Sequence, residues 1–421
     1  MNRYAMLDTK WGKVLFGAFL CSMLLLARDT LITSCVIGFT KSQLLMLGLI
    51  CLFGFVFLLR HRRNWKRILT DKRMLLMAVS ALVLLIPMIV KQDWQMMYFS
   101  ILLCLLAAVF LTYCVSWQET AKYYVLILAV LGIYSLIGMY VLKPLAMAGK
   151  IPAAVFVNSA GGEFFDFGLT FVVPSLYWHR NFGIFREPGV YQFFLILGIY
   201  LTHYGISWKK ERNRWLMTAI LTATLVSTFA IGGFIELALL AVFVYFDKKY
   251  YRTKAGMVLG GAAVAAVIAV VLHIISEIRT PYFEHTVYYE FYDMFRRLTT
   301  DSNSLVDRLS AIFVSTELFL KHPVVGDTIA NVLHGTAHNT SSTLILYAVL
   351  GFVGGTLNVA AWAALLWKRE RNVLGNLFLT LILFMSFNTQ NLTADVFFWL
   401  FPYMALAEVL LPKLKLPERK G

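Results

Sequence analysis

The chain has 421 residues, 59% of them hydrophobic and 14% charged, with a mean hydropathy of +0.71 and a formal net charge of +15. A typical soluble domain is about 25% charged, and a water-soluble protein of this length has too little interior to hide so much apolar surface. The composition excludes a soluble enzyme, a disordered chain and a disulfide-rich secreted domain, and it points to an all-α polytopic membrane protein.

In chain order, twelve stretches approach the roughly 20 mostly apolar residues that a spanning helix needs. They lie at about 13–33, 42–59, 74–91, 95–115, 122–142, 188–205, 214–230, 231–246, 255–275, 340–367, 373–389 and 395–411. The first is the least clean, because Arg28 and Asp29 sit near its end. The seventh and eighth are short and meet at Gly232–Gly233. The first stretch lacks a small-residue cleavage site and is followed by further spans, so no signal peptide is expected. Residues 1–421 read as a single transmembrane domain without internal repeats.

Lysine and arginine set the orientation. With a cytoplasmic N-terminus and alternating sides, 26 of the 38 basic residues fall on cytoplasmic segments, chiefly Arg60 to Arg73, Lys209 to Arg214, Lys248 to Lys254 and Lys368 to Arg371. The net charge then divides into about +18 inside and about −3 outside, with both termini cytoplasmic. The basic excess is a topology signal and a contact with anionic lipid. No basic domain exists to bind nucleic acid, so none is expected as a partner. The five cysteines, Cys21, Cys35, Cys51, Cys104 and Cys114, lie in or at the ends of apolar stretches and read as small buried hydrophobes.

Two outer loops are far longer than the rest, which is uncommon unless they are functional. The first covers 143–187; its apolar part Phe164–Trp178 reads as a re-entrant or interfacial segment. The second covers 276–339. Leu305, Leu309, Ile312, Phe313, Thr316 and Leu320 recur there at helical spacing, which predicts an amphipathic helix over 305–321 that stops at His322–Pro323 and Gly326.

Polar residues cluster where these loops meet the membrane. The run from Arg180 through Gly183, Phe185, Arg186, Glu187 and Pro188 to Gln192 leads into the sixth stretch. Arginines at a helix start suit a pyrophosphate, through paired hydrogen bonds and the helix dipole. The other reading is interfacial snorkelling with an Arg–Glu pair. Arg308 taken alone reads as a solvated face of the loop helix. His338–Asn339 opens the tenth stretch, and His338 is either a capping or surface residue or an acid/base or phosphate-contacting group. Gly351 and Gly354–Gly355 read as close helix packing. Asn388, Gln390, Asn391 and Asp395 read as an ordinary short loop. Glu236 is an intramembrane acid, functional by default unless hydrated at the helix end. No metal-ligand spacing is present, so neither a metal nor another cofactor is expected.

At these residues the chain resembles the O-antigen ligase/polymerase superfamily of bacterial envelope glycosyltransferases. Arg180, Gly183 and Phe185 match that family's Arg-x-x-Gly-x-Phe. Arg308, Pro323 and Gly326 match its loop-helix arginine and Pro-x-x-Gly turn. His338, Asn339, Gly351 and Gly354 match its His-Asn and Gly-x-x-Gly. Residues 185–189, Phe-Arg-Glu-Pro-Gly, depart from the Asn-Pro-Asn usual in ligases and look more like exopolysaccharide and capsule polymerases.

The resemblance implies a GT-C-like fold of about twelve transmembrane helices, with a large, partly helical outer loop between spans 9 and 10. It implies a metal-independent polymerase of undecaprenyl-pyrophosphate-linked repeat units, working on the outer face of the bacterial cytoplasmic membrane. Arg180, Arg186 and Arg308 then bind pyrophosphate, and His338 and Glu187 are the catalytic candidates. Donor and acceptor are both lipid-linked glycans. Membrane lipids, a chain-length regulator and a flippase are the further partners. The alternatives are a ligase that transfers the glycan to lipid A-core, and a transporter or flippase of the same lipid-linked units.

Overall fold

The computed structural model describes residues 9–60, 71–157, 162–175, 179–277, 289, 292, 302–334, 340–367 and 371–409. The chain is mostly helical. Helix α1 spans Lys10–Leu25, α2 Phe39–Arg60, α3 Lys72–Val90, α4 Met96–Cys114 and α5 Trp117–Ile137. A small sheet follows, with strands β1 Ala154–Val157, β2 Glu163–Asp166 and β3 Phe171–Val172. Then come α6 Pro188–Tyr204, α7 Glu211–Ser227, α8 Ile231–Asp247, α9 Lys254–Glu277, α10 Ser302–Lys321 and α11 Ile329–His334. Helices α12 Ser342–Leu366, α13 Val373–Asn388 and α14 Val396–Val409 complete the described chain.

Local sequence explains several boundaries. Thr9, Asp71, Ser116 and Asn372 each accept a hydrogen bond from a backbone N–H in the first turn of the following helix. Each satisfies one of the donors that a helix start leaves free.

Helices lie on each of the twelve apolar stretches. Among the described residues, five segments are long and apolar enough to cross a bilayer by length and composition: Phe39–Val56, Lys72–Val90, Met96–Cys114, Trp117–Met147 and Ser342–Leu366. Their outward faces carry Leu52, Phe55, Leu75, Leu82, Val130 and Phe352, each more than half exposed. So wide an apolar surface suits a hydrocarbon surrounding rather than water.

The interior is built on α6, where every residue except Gly189 is buried. A helix that is apolar all round belongs in the centre of a bundle. Helices α5, α7, α8 and α13 pack around it, while α14 packs against α4 and α12.

Two elements differ from the sequence expectations, and a small sheet is added that they did not contain. The first apolar stretch is not one helix to residue 33: α1 stops at Leu25, a loop carries Arg28 and Asp29, and a π-helical segment Ile32–Ile37 follows. Thr30 holds that loop, its hydroxyl donating to the Leu25 and Ala27 carbonyls at 2.8 and 3.0 Å. In the 143–187 loop, residues 154–172 carry an antiparallel sheet with Val155 opposite Phe165 and Phe165 opposite Val172; residues 176–178 of the interfacial segment expected at Phe164–Trp178 lie outside the described residues. Tyr134 ties the sheet to α5 by donating to the Phe167 carbonyl at 2.6 Å. The loop helix α10 begins at Ser302, three residues before the spacing predicts, and ends at Lys321 as the stop signals require.

Candidate functional site

Residues 180–187 run along one end of the bundle and lead into α6. Asn181 is buried and anchors the run. Its amide donates to the Ser135 and Ser227 hydroxyls, both at 2.9 Å, and its Oδ1 accepts from the Gly183 N–H at 2.9 Å. Gly183 turns the chain at φ +55, and a Cβ there would meet the Tyr191 ring at 2.6 Å. Phe185 is fully buried, its ring 4.3 Å from Phe194 and 5.1 Å from Tyr191. Burying such a side chain contributes about 1.5–3 kcal/mol. Gly183 and Phe185 therefore shape the run, with Arg180 half-buried and Arg186 exposed.

Arg186 is held from both sides. Its backbone N–H donates to the Asp29 carbonyl at 3.0 Å, and Thr30 forms an antiparallel bridge with Phe185. Its Nε lies 2.9 Å from Asp29 Oδ1; the Arg186 side chain is 42% exposed and that of Asp29 only 4%. A buried carboxylate thus aims an accessible guanidinium beside the amino end of α6. Glu187 is exposed and caps α6 through its carbonyl, which accepts from the Val190 and Tyr191 N–H groups. Arg180 sits at the other end of the run, with Nε 3.4 Å from the Thr228 carbonyl at the carboxyl end of α7. That position favours a cation through the helix dipole.

The loop between α13 and α14 joins this site to α12. Ser342 donates to the Gln390 carbonyl at 2.6 Å, and its hydroxyl accepts from the Leu392 N–H at 2.8 Å. Asn388 accepts from Ser341 and from the Thr343 N–H, both at 3.0 Å. The Gln390 amide lies where a Cβ on Gly189 would stand, 2.6 Å away. The amino ends of α6 and α12 therefore meet across Gln390. This loop is not the ordinary short connection that its sequence suggests. Asp395 is fully buried, accepts from the Phe397 N–H at 2.8 Å, and lies within electrostatic range of Asp29 and Arg28.

Arg28, Asp29 and Asp395 are the residues that sequence reasoning passed over. The signal was present for two of them, since Arg28 and Asp29 interrupt an apolar stretch. His338 and Asn339 lie outside the described residues, as does the side chain of Arg308. The backbone of Arg308 belongs to α10, which packs against α12. Glu236 is fully buried on α8, one turn beyond the Gly232–Gly233 pair that makes room for the Gln192 side chain.

The Pro323–Gly326 turn and Gly351 meet each other. Gly351 breaks α12 with φ +68 and ψ −168. The groups released from the helix ladder find partners outside it: Ala348 O accepts from Asp327 N at 2.6 Å, and Phe352 N donates to Pro323 O at 2.7 Å. Lys91 Nζ donates to Val349 O at 2.6 Å and to Asp327 O at 2.7 Å. Asp93 accepts from the Ile329 N–H at 2.6 Å, at the start of α11. Helices α10 and α11 are thereby fixed to the break in α12. Gly351 works as a docking point, not as the close helix packing its spacing suggested.

Lys91→Met is expected to cost about 1–3 kcal/mol at neutral pH, because two carbonyls lose their donor. Thermal unfolding of the two proteins in one detergent checks this, and equal melting temperatures would mean that Lys91 does not hold the break in α12.

Compared with known protein families and with curated proteins, the chain matches none.

Proposed function

We propose that the chain is a membrane glycosyltransferase that polymerises undecaprenyl-pyrophosphate-linked repeat units into O-antigen, capsule or exopolysaccharide. One observation carries the reading: an exposed arginine, Arg186, is aimed by a buried carboxylate at the junction of the α6 and α12 amino ends. The reading takes all twelve helical stretches as spans in a GT-C-like arrangement, and this junction as the outer face of the cytoplasmic membrane.

An acceptor hydroxyl oxygen attacks the anomeric carbon of the donor glycan. The bond from that carbon to the pyrophosphate oxygen breaks, and its electron pair leaves with the lipid pyrophosphate. Arg186 stabilises the charge that grows on this leaving group, as a prepositioned donor does in a water-poor site. Arg180 and Arg308 are the further phosphate ligands that the family resemblance supplies. The acceptor proton passes to His338, or to Glu187 if His338 serves the phosphate. Thr340–Ser342, which follow His338 in sequence, lie at the same junction, and Gln390 links it to Gly189.

Alanine at Arg180, Arg186, Arg308 and His338, each assayed for chain extension by purified protein, tests the assignment. Loss of extension is expected at Arg186 and His338. Extension surviving all four substitutions rejects the site.

A further inference from the structure

A groove of about 160 Å³ runs between the first turns of α2 and α4, with Gln43, Leu44 and Leu47 on one wall and Met96, Phe99 and Leu103 on the other. Leu44, Leu47 and Phe99 are 60%, 41% and 44% exposed, so the groove opens sideways, toward the surface that the membrane reading gives to lipid. An apolar cavity of about 150 Å³ takes one benzene-sized molecule. The groove therefore fits roughly one branched five-carbon unit at a time and has no room for two acyl chains abreast.

Beyond the lining residues, toward the start of α2, lies a cation. Phe39 lies one turn before Gln43 on the same face of α2, and the Arg28 guanidinium sits 5.4 Å from the centre of the Phe39 ring. Arg28 Nη1 is buried with no hydrogen-bond partner among the described residues. The next residue, Asp29, holds Arg186. The start of α2 thus connects the apolar slot to Arg28, a cation with an unused donor, and the neighbouring Asp29 leads on to Arg186.

We propose that this groove seats the first isoprene units of the lipid carrier, with Arg28 on the phosphate nearest the chain and Arg186 on the next. The proposal rests on the glycosyltransferase reading and adds where the carrier docks and which second arginine meets it. Asp29 beside the two arginines leaves the head site with a small net charge, so the buried chain supplies much of the affinity. A free phosphate is then a poor competitor.

Binding of undecaprenyl pyrophosphate to the full chain in phosphatidylcholine nanodiscs, read by mass spectrometry of the intact complex, tests this. Leu47→Trp and Leu44→Trp should each weaken binding at least tenfold, while Leu82→Trp on the outward face of α3 should leave it unchanged. Arg28→Gln should weaken binding of the pyrophosphate but not of the uncharged polyprenol. Wild-type affinity in both groove variants overturns the proposal, as does displacement of the probe by equimolar phosphatidylglycerol or inorganic pyrophosphate. Binding that needs Arg186 but ignores the groove removes this inference and leaves the enzyme reading standing. No binding by the wild-type chain removes both.

Discussion

Alanine at Arg186 is expected to lower turnover by about 100- to 1000-fold, the usual loss when one prepositioned donor to a developing negative charge is removed. The residue is suited to this because its orientation is fixed twice, by backbone pairing with the 29–30 loop and by the 2.9 Å contact with Asp29. Substitution also strands the Asp29 carboxylate, which is only 4% exposed, so part of any lost activity reflects lost stability. The double variant Asp29→Asn/Arg186→Gln separates the two effects. It removes the stranded charge and should restore the melting temperature, yet turnover should stay low. Full recovery of activity in the double variant would make Arg186 a structural partner of Asp29 and nothing more. Arg186→Lys should be intermediate, because an ammonium keeps the charge but not the paired donors.

The largest expected loss of stability is at Gly351. Its backbone lies in a region that essentially only glycine occupies, where another residue pays about 1–3 kcal/mol. A Cβ would also stand 2.1 Å from the Val324 carbonyl oxygen. Backbone atoms cannot swing aside as a side chain can, so Gly351→Ala should cost at least about 3 kcal/mol and loosen the turn at 323–327. Gly261→Ala on α9 is the contrast: nothing lies within 4 Å of its added Cβ, and helix propensity favours alanine by roughly 0.5–1 kcal/mol. Thermal unfolding in one detergent compares the pair. Equal melting temperatures would mean that the α12 break does not hold the loop.

The helical stretches were legible because a run of apolar residues has few other ways to fold, and α10 was legible from its 3.6-residue period. The sheet at 154–172 escaped notice because its strands are two to four residues long, too short for alternation to stand out. Arg186 was legible as a candidate site residue from its place before Pro188. Asp29 was not, since 157 positions separate it from Arg186 in the sequence and only the tertiary fold joins them. The 388–395 loop looked unremarkable for the same reason. Its polar residues face inward, onto Ser341, Ser342 and the start of α6, and no local pattern reports the direction of a side chain. Gly351 and the Pro323–Gly326 turn were both singled out as motifs, but their meeting had no sequence signature.

The central claim is that this bundle joins glycans on lipid pyrophosphate. The direct measurement is to incubate the purified wild-type chain with undecaprenyl-pyrophosphate-linked repeat units, without other proteins, and to resolve the products by size. The account predicts a ladder of lengthening glycans that Arg186→Ala suppresses. Unchanged starting material, from a folded protein supplied with the repeat unit of its own cell, would contradict it.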